Sequence, residues 1–190
     1  FRQWVMSFPK AVRLRLALDD KLASRVLGVF LRTVFAWQRR KARRVGHRQA
    51  GVGAVTFIQR FSTALRLNVH FHCLVPDGVF LATGAASDGR RQFLGLPAPT
   101  DDEVESINRT VARRVLTLFR RLDEDAQPHD ETLAITYAEA LQPSMPWAAV
   151  EPPMRKGRRC SNLQGFSLHA NVRFRGRDRD RLERLCRYGL

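Results

Sequence analysis

A chain of 190 residues with 44% hydrophobic content is long enough for one domain with a substantial core. Its 33 Lys and Arg against 18 Asp and Glu give a net charge of +15, which points first to nucleic acid and only second to an anionic membrane surface. No apolar run approaches membrane-spanning length, no secretory signal is visible, and the three cysteines (Cys73, Cys160 and Cys186) lack CxxC spacing. They fit reduced thiols in a cytosolic protein and exclude a disulfide framework or a zinc knuckle.

Most of the positive charge is arginine, with Lys10, Lys21, Lys41 and Lys156 the four lysines. The guanidinium fork grips phosphate bidentately, which favours nucleic acid again. In chain order, "FRQWVMSFP" alternates apolar residues up to a proline and reads as a strand. "LALDDKLASRVLGVFLRTVFAWQRRKARRVG" reads as a helix with Asp19 and Asp20 near its start and cations crowding its end, both matched to the helix dipole. "GAVTFIQRF" is a second strand. "NVHFHCLVPDGVFLA" is a third, turning at Pro76-Asp77-Gly78, and "RRQFLGL" closes a hairpin with it.

"TDDEVESINRTVARRVLTLFRRL" is a helix with Thr100 as N-cap and Glu103 completing a capping box. Residues 123–164 hold most of the prolines and read as an insertion or linker. "FSLHANVRF" is a last strand, and "DRDRLERLCRYGL" a last helix capped by Asp178. The order predicts one α+β domain, a mainly antiparallel sheet with helices on one face. The chain starts at Phe1 and stops inside the expected last helix, so it is expected to be a fragment truncated at both ends.

Side chains at i and i+2 of a strand share a face. His70 and His72 therefore present two imidazoles side by side, while Val69, Phe71 and Cys73 point into apolar packing. Two neutral imidazoles on a rigid strand suit a divalent metal; satisfied structural histidines are the bland alternative. A hairpin would set Gln59, on the preceding strand, opposite His72 as a third ligand, with His169 its competitor; the pattern alone favours an exposed polar residue near a turn. Tyr188 falls off the centre of the last helix's apolar stripe: it either covers the core edge or is a phenolic nucleophile. The cluster "QRRKARRVGHR" offers Arg39, Arg40, Lys41, Arg43 and Arg44 to a DNA backbone, or to solvent.

"HFHC" fits the histidine–hydrophobe–histidine motif of the HUH endonucleases. Together, "RQWVMSFP", "GAVTFIQRF", "LNVHFHCLVPDGVF", "GFSLHA" and "LERLCRYGL" resemble the transposases of rolling-circle insertion sequences over nearly the whole chain. The resemblance implies a ferredoxin-like HUH core and a metal-dependent single-stranded DNA endonuclease and strand transferase. It implies Mg²⁺ or Mn²⁺ on His70 and His72, and a 5′-phosphotyrosine intermediate on Tyr188. It also implies transposon-end and target single strands as partners, and a cytoplasmic, nucleoid-associated bacterial setting. Homo-oligomerisation is left open.

Some relatives carry histidine where Gln59 stands, which supports Gln59 as a ligand. Many carry paired tyrosines four apart, whereas position 184 here is Arg184, so a one-tyrosine version is implied. Relatives also carry an upstream cysteine-rich zinc-binding segment that this sequence lacks. Arg184 and Arg187 flank Tyr188 as candidate phosphate contacts, against the alternative of a solvated helix face. Two other functions compete: a non-catalytic basic nucleic-acid-binding domain, and a metal-dependent hydrolase that uses activated water.

Overall fold

Strand β1 (Arg2–Ser7) occupies the middle of the sheet, and its alternation decides which way the sheet faces. Trp4 and Met6 are buried on one side. The other side carries Gln3, Val5 and Ser7. The computed structural model describes residues 1–61, 67–82, 91–125, 157–175, 178, 180 and 183. After β1 come α1 (Lys10–Leu18), α2 (Asp20–Arg44), β2 (Val55–Phe61), β3 (Leu67–Val75), β4 (Gly78–Ala82), β5 (Arg91–Gly95), α3 (Asp101–Asp125), β6 (Cys160–Leu163) and β7 (Phe166–His169).

The main sheet has the order β2-β3-β1-β7-β6 and is antiparallel at every pairing. Helices α1, α2 and α3 cover the face that Trp4, Met6, Val69, Phe71, Cys73, Phe166 and Leu168 fill. Phe8, Phe71 and Phe166 meet edge to face there, and full burial of each such ring contributes about 1.5–3 kcal/mol. The expected α+β class, with helices on one face of an antiparallel sheet, is what the chain forms. Among the described residues no helix is long and apolar enough to cross a membrane.

The first expected helix is two. Asp19 is extended (φ −131°, ψ 104°); its N–H closes α1 on the Arg15 carbonyl, and its carboxylate accepts from Leu22 N–H at 2.9 Å to cap α2. The residues "LAL" thus belong to α1, which starts at Lys10 just after Pro9. The turn at Pro76–Asp77–Gly78 also does more than bend a strand. It takes β4 out of the main sheet into a separate hairpin with β5. At Gly78 a Cβ would run into the Leu94 carbonyl and the Phe93 ring, so only glycine fits.

That turn is anchored from below. The Arg2 guanidinium pairs bidentately with Asp77 (Nε–Oδ1 2.9 Å, Nη2–Oδ2 3.0 Å) and donates from Nη1 to the Ala170 carbonyl at 2.8 Å. Arg2 is only 3% exposed, so removing its carboxylate partner would strand a buried charge, a change that costs about 3–5 kcal/mol.

The capping box at α3 forms as expected: Thr100 Oγ1 accepts from Glu103 N–H at 3.1 Å, and Glu103 Oε2 accepts from Thr100 N–H at 2.9 Å. At the far end of the sheet, β6 arises inside the stretch read as a linker. β6 and β7 join through Gln164 and Gly165, both at positive φ (49° and 83°), the pattern of a type I′ hairpin. The buried Asn108 amide on α3 donates to the Ser161 carbonyl and hydroxyl and to the Phe166 carbonyl. Residues 126–156 lie outside the described part.

Candidate functional site

The face of the sheet opposite α1, α2 and α3 is where the chemistry-bearing residues collect. Directly paired residues of antiparallel strands share a face. Ser7 pairs with His70 and Val5 with His72 across β1–β3, while Gln59 pairs with His70 and Phe57 with His72 across β2–β3. Gln59 is therefore on the expected face, but its neighbour is His70 and not His72. The pairing register, not the strand assignment, makes the difference, and the ladder shifts just beyond Gln59, between it and Phe61.

The two imidazoles lie with ring centroids 4.8 Å apart at 61°. His70 Nδ1 is 2.5 Å from the Asn68 carbonyl oxygen. A carbonyl can only accept, so Nδ1 carries the proton and Nε2 of the neutral ring carries a lone pair. Sequence reasoning did not single out Asn68, because nothing in "LNVH" marks a backbone carbonyl as a partner.

His72 is held differently. Its Nδ1 is 2.7 Å from Nε2 of Gln3, and its own Nε2 is buried without a hydrogen-bond partner among the described residues. Burial, reinforced by the nearby His70 charge, pushes the His72 imidazole down to a pKa of about 4. It is neutral throughout the physiological range. With the Gln3 amide donating to Nδ1, the His72 proton sits on Nε2. A half-turn of that amide puts Oε1 against Nδ1–H and leaves a lone pair on Nε2.

Gln3 is the site residue that sequence reasoning missed. It sits on the solvent-side register of "FRQWVMS", but only the pairing of β1 with β3 brings it to His72. Two adjacent imidazoles, the His72 ring neutral with a buried Nε2 that has no partner among the described residues, make a donor set that fits a divalent cation. Among the described residues no group of three His, Cys, Asp or Glu side chains forms a metal cluster.

His169 shares this face but stands apart. It pairs with Val5, the same residue that pairs with His72, and so lies two strands from His72, about 9–10 Å at ordinary strand spacing. Both of its nitrogens are engaged, Nδ1 with Cys160 Sγ and Nε2 with Ser167 Oγ, each at 3.0 Å. Burial raises the Cys160 thiol above its usual pKa, and the Asp101 charge adds to this, so Cys160 enters the contact as a thiol.

The basic cluster divides along the end of α2. Arg39, Arg40, Arg43 and Arg44 are exposed, and Arg39 Nε reaches the Ala50 carbonyl at 3.4 Å. Lys41 turns inward instead. Its ammonium is 3.0 Å from Glu103 Oε2 and 4.9 Å from the centroid of the Trp37 ring, and it donates to the Pro97 carbonyl at 3.2 Å. Tyr188, Arg184 and Arg187 lie outside the described residues. Of the last expected helix, Asp180 and Glu183 are described, and both are helical.

No curated protein and no solved structure matches the chain. A family model described as "Putative transposase" matches residues 53–189, a span that holds β2, both site histidines and the C-terminal segment through Tyr188. The match covers more than two thirds of the 190 residues, and the chain belongs to this transposase family.

Proposed function

We propose that the protein is a metal-dependent single-stranded DNA endonuclease and strand transferase of the HUH rolling-circle type. The observation that carries this reading is the pair of imidazoles, His70 and His72, side by side on the sheet face opposite α1–α3, with His72 Nε2 unpartnered among the described residues. Strand order also supports it. Setting β6 aside, β7-β1-β3-β2 with helices after β1 and after β3 follows the split βαβ pattern of ferredoxin-like folds.

In this reading His70, His72 and Gln59 hold Mg²⁺ or Mn²⁺, which when bound supplies Lewis-acid polarisation of a phosphodiester. Asn68 and Gln3 orient the two imidazoles from behind. Tyr188 is the nucleophile. Its phenolic oxygen attacks phosphorus, a phosphotyrosine bond forms at the 5′ side, and the 3′ oxygen leaves and takes up a proton. Rejoining runs the same exchange in reverse with a new 3′-hydroxyl, so no external energy source is needed. Arg39, Arg40, Lys41, Arg43, Arg44, Arg184 and Arg187 are the proposed DNA contacts, with Lys41 as a positioning residue through Glu103.

The test replaces both His70 and His72 with alanine. Neither side chain is part of the apolar core, so the thermal transition should change little. Mg²⁺- or Mn²⁺-dependent nicking of single-stranded oligonucleotides should disappear. Nicking that survives in the double variant would remove the metal-site assignment.

A further inference from the structure

The helical layer carries a second cationic feature, on the opposite side of the molecule from His70 and His72. A groove of about 600 Å³ runs between α2 and α3, lined by Arg25 and Arg32 from α2 and by Arg113, Arg114 and Arg121 from α3. Among the described residues that line it, Asp125 alone is acidic. All five arginines are exposed. Arg25 to Arg32 and Arg114 to Arg121 each span seven residues, two helical turns or about 10 Å of rise. Each helix thus contributes its guanidinium groups along one side of the groove.

These arginines are not spent on structure. Among the described residues none of the five forms an ion pair; Arg114 donates from Nη1 to Thr33 Oγ1 at 3.2 Å, which tethers it toward α2. Arg32 folds back along its own helix, where a Cβ at Gly28 would lie 3.0 Å from its Nη1. Glycine destabilises a helix interior, and here its missing side chain leaves room for a guanidinium. Five like charges gathered around a single carboxylate, Asp125, repel one another unless a further anion joins them.

The remaining lining decides which anion. Val29, Thr117, Leu118 and Leu122 complete the groove. Among the described residues it offers no aromatic ring on which unpaired bases could stack, and no Asn or Gln to read base edges. Its donors are suited to phosphates alone. We propose that the α2–α3 groove is a second DNA-contacting surface, which takes the phosphate backbone of duplex DNA without regard to sequence. The histidine face of the sheet would then handle the single strand, and the helical face would hold the duplex beside it.

The experiment measures binding of the whole chain in EDTA, over a range of salt, to a blunt duplex and to an unstructured single strand. The variant is Arg32→Ala, Arg113→Ala and Arg121→Ala together. Duplex affinity should fall by about tenfold or more, and the slope of log affinity against log salt should become shallower by about three, because each lost phosphate contact removes close to one unit. Single-strand affinity should stay within about threefold, and a control lacking Lys10, Arg91 and Arg158, exposed cations outside the groove, should keep its duplex slope.

Unchanged duplex affinity and slope would overturn the proposal. So would equal losses for duplex and single strand, or equal losses in the control, since either marks net charge as the cause. Should the triple variant lose its circular-dichroism melt, Arg121→Glu alone must weaken duplex binding for the proposal to stand. The assay needs neither metal nor cleavage, so its result is independent of whether the chain nicks DNA.

Discussion

The side-chain amide of Gln3 lies 2.7 Å from Nδ1 of His72. Gln3 pairs with Leu74 and His72 with Val5, so the contact runs diagonally across the β1–β3 ladder. It fixes the orientation of an imidazole whose other nitrogen is buried and unpartnered. Because an amide presents both a donor and an acceptor, Gln3 can serve either tautomer of His72 by a half-turn. Such partners behind a ligating imidazole set its direction and basicity.

Gln3→Leu should therefore weaken Mn²⁺ binding by about 10- to 100-fold, the usual effect of removing a partner behind a metal-bound histidine. Gln3→Glu should bind Mn²⁺ at least as well as wild type, since its carboxylate accepts from Nδ1–H. Isothermal titration reads both. Wild-type affinity in Gln3→Leu would show that Gln3 has no such role.

Gln59 and His169 make opposite predictions. Gln59 pairs with His70 directly, whereas His169 lies beyond β1 with both nitrogens engaged. Gln59→Ala should lower Mn²⁺ affinity, and Gln59→His should match or exceed wild type because imidazole is the stronger donor. His169→Ala should leave affinity unchanged. The reverse pattern would make His169 the third ligand.

The depressed pKa of His72, about 4, gives metal-free protein a defined pH dependence. In the unfolded chain the ring takes up its proton near pH 6.5, but in the folded chain only near 4. Between those values the unfolded state binds more protons, so stability falls as pH drops through that window. In urea melts between pH 7 and about 4, wild type should lose stability relative to His72→Gln as pH falls. A constant gap between the two would assign the acid loss to other groups.

How much of this was legible before folding differs from one residue to the next. The alternation of "NVHFHCLV" was enough to put His70 and His72 on one face and Phe71 in the core, because a strand's period of two leaves no other arrangement. The capping box at Thr100 and Glu103 was equally local. The register that sets Gln59 against His70 was not, since it depends on the whole β2–β3 ladder, and the same holds for Gln3 against His72. β6 was hidden because "CSNL" has no β-branched residue and no apolar alternation. Pairing with β7 and the buried Asn108 amide make it a strand. The break at Asp19 was missed because an acid at a helix start and an acid between two helices look alike in sequence. The α2–α3 groove needed two helices, distant in sequence, to bring their arginines together.

In the proposed mechanism Tyr188 becomes joined to DNA, and a denaturing gel measures this directly. Wild-type protein incubated with a labelled single-stranded oligonucleotide and Mg²⁺ or Mn²⁺ should yield a covalent protein–DNA adduct that mass spectrometry maps to Tyr188. Tyr188→Phe removes one oxygen and keeps the ring; it should bind the oligonucleotide and Mn²⁺ as before, form no adduct, and nick only at background. The other tyrosine, Tyr137, falls in the stretch 123–164 read as an insertion or linker, and Tyr137→Phe should behave as wild type. An adduct that persists in Tyr188→Phe on another residue would contradict the account, and nicking that persists with no adduct would assign the attack to water.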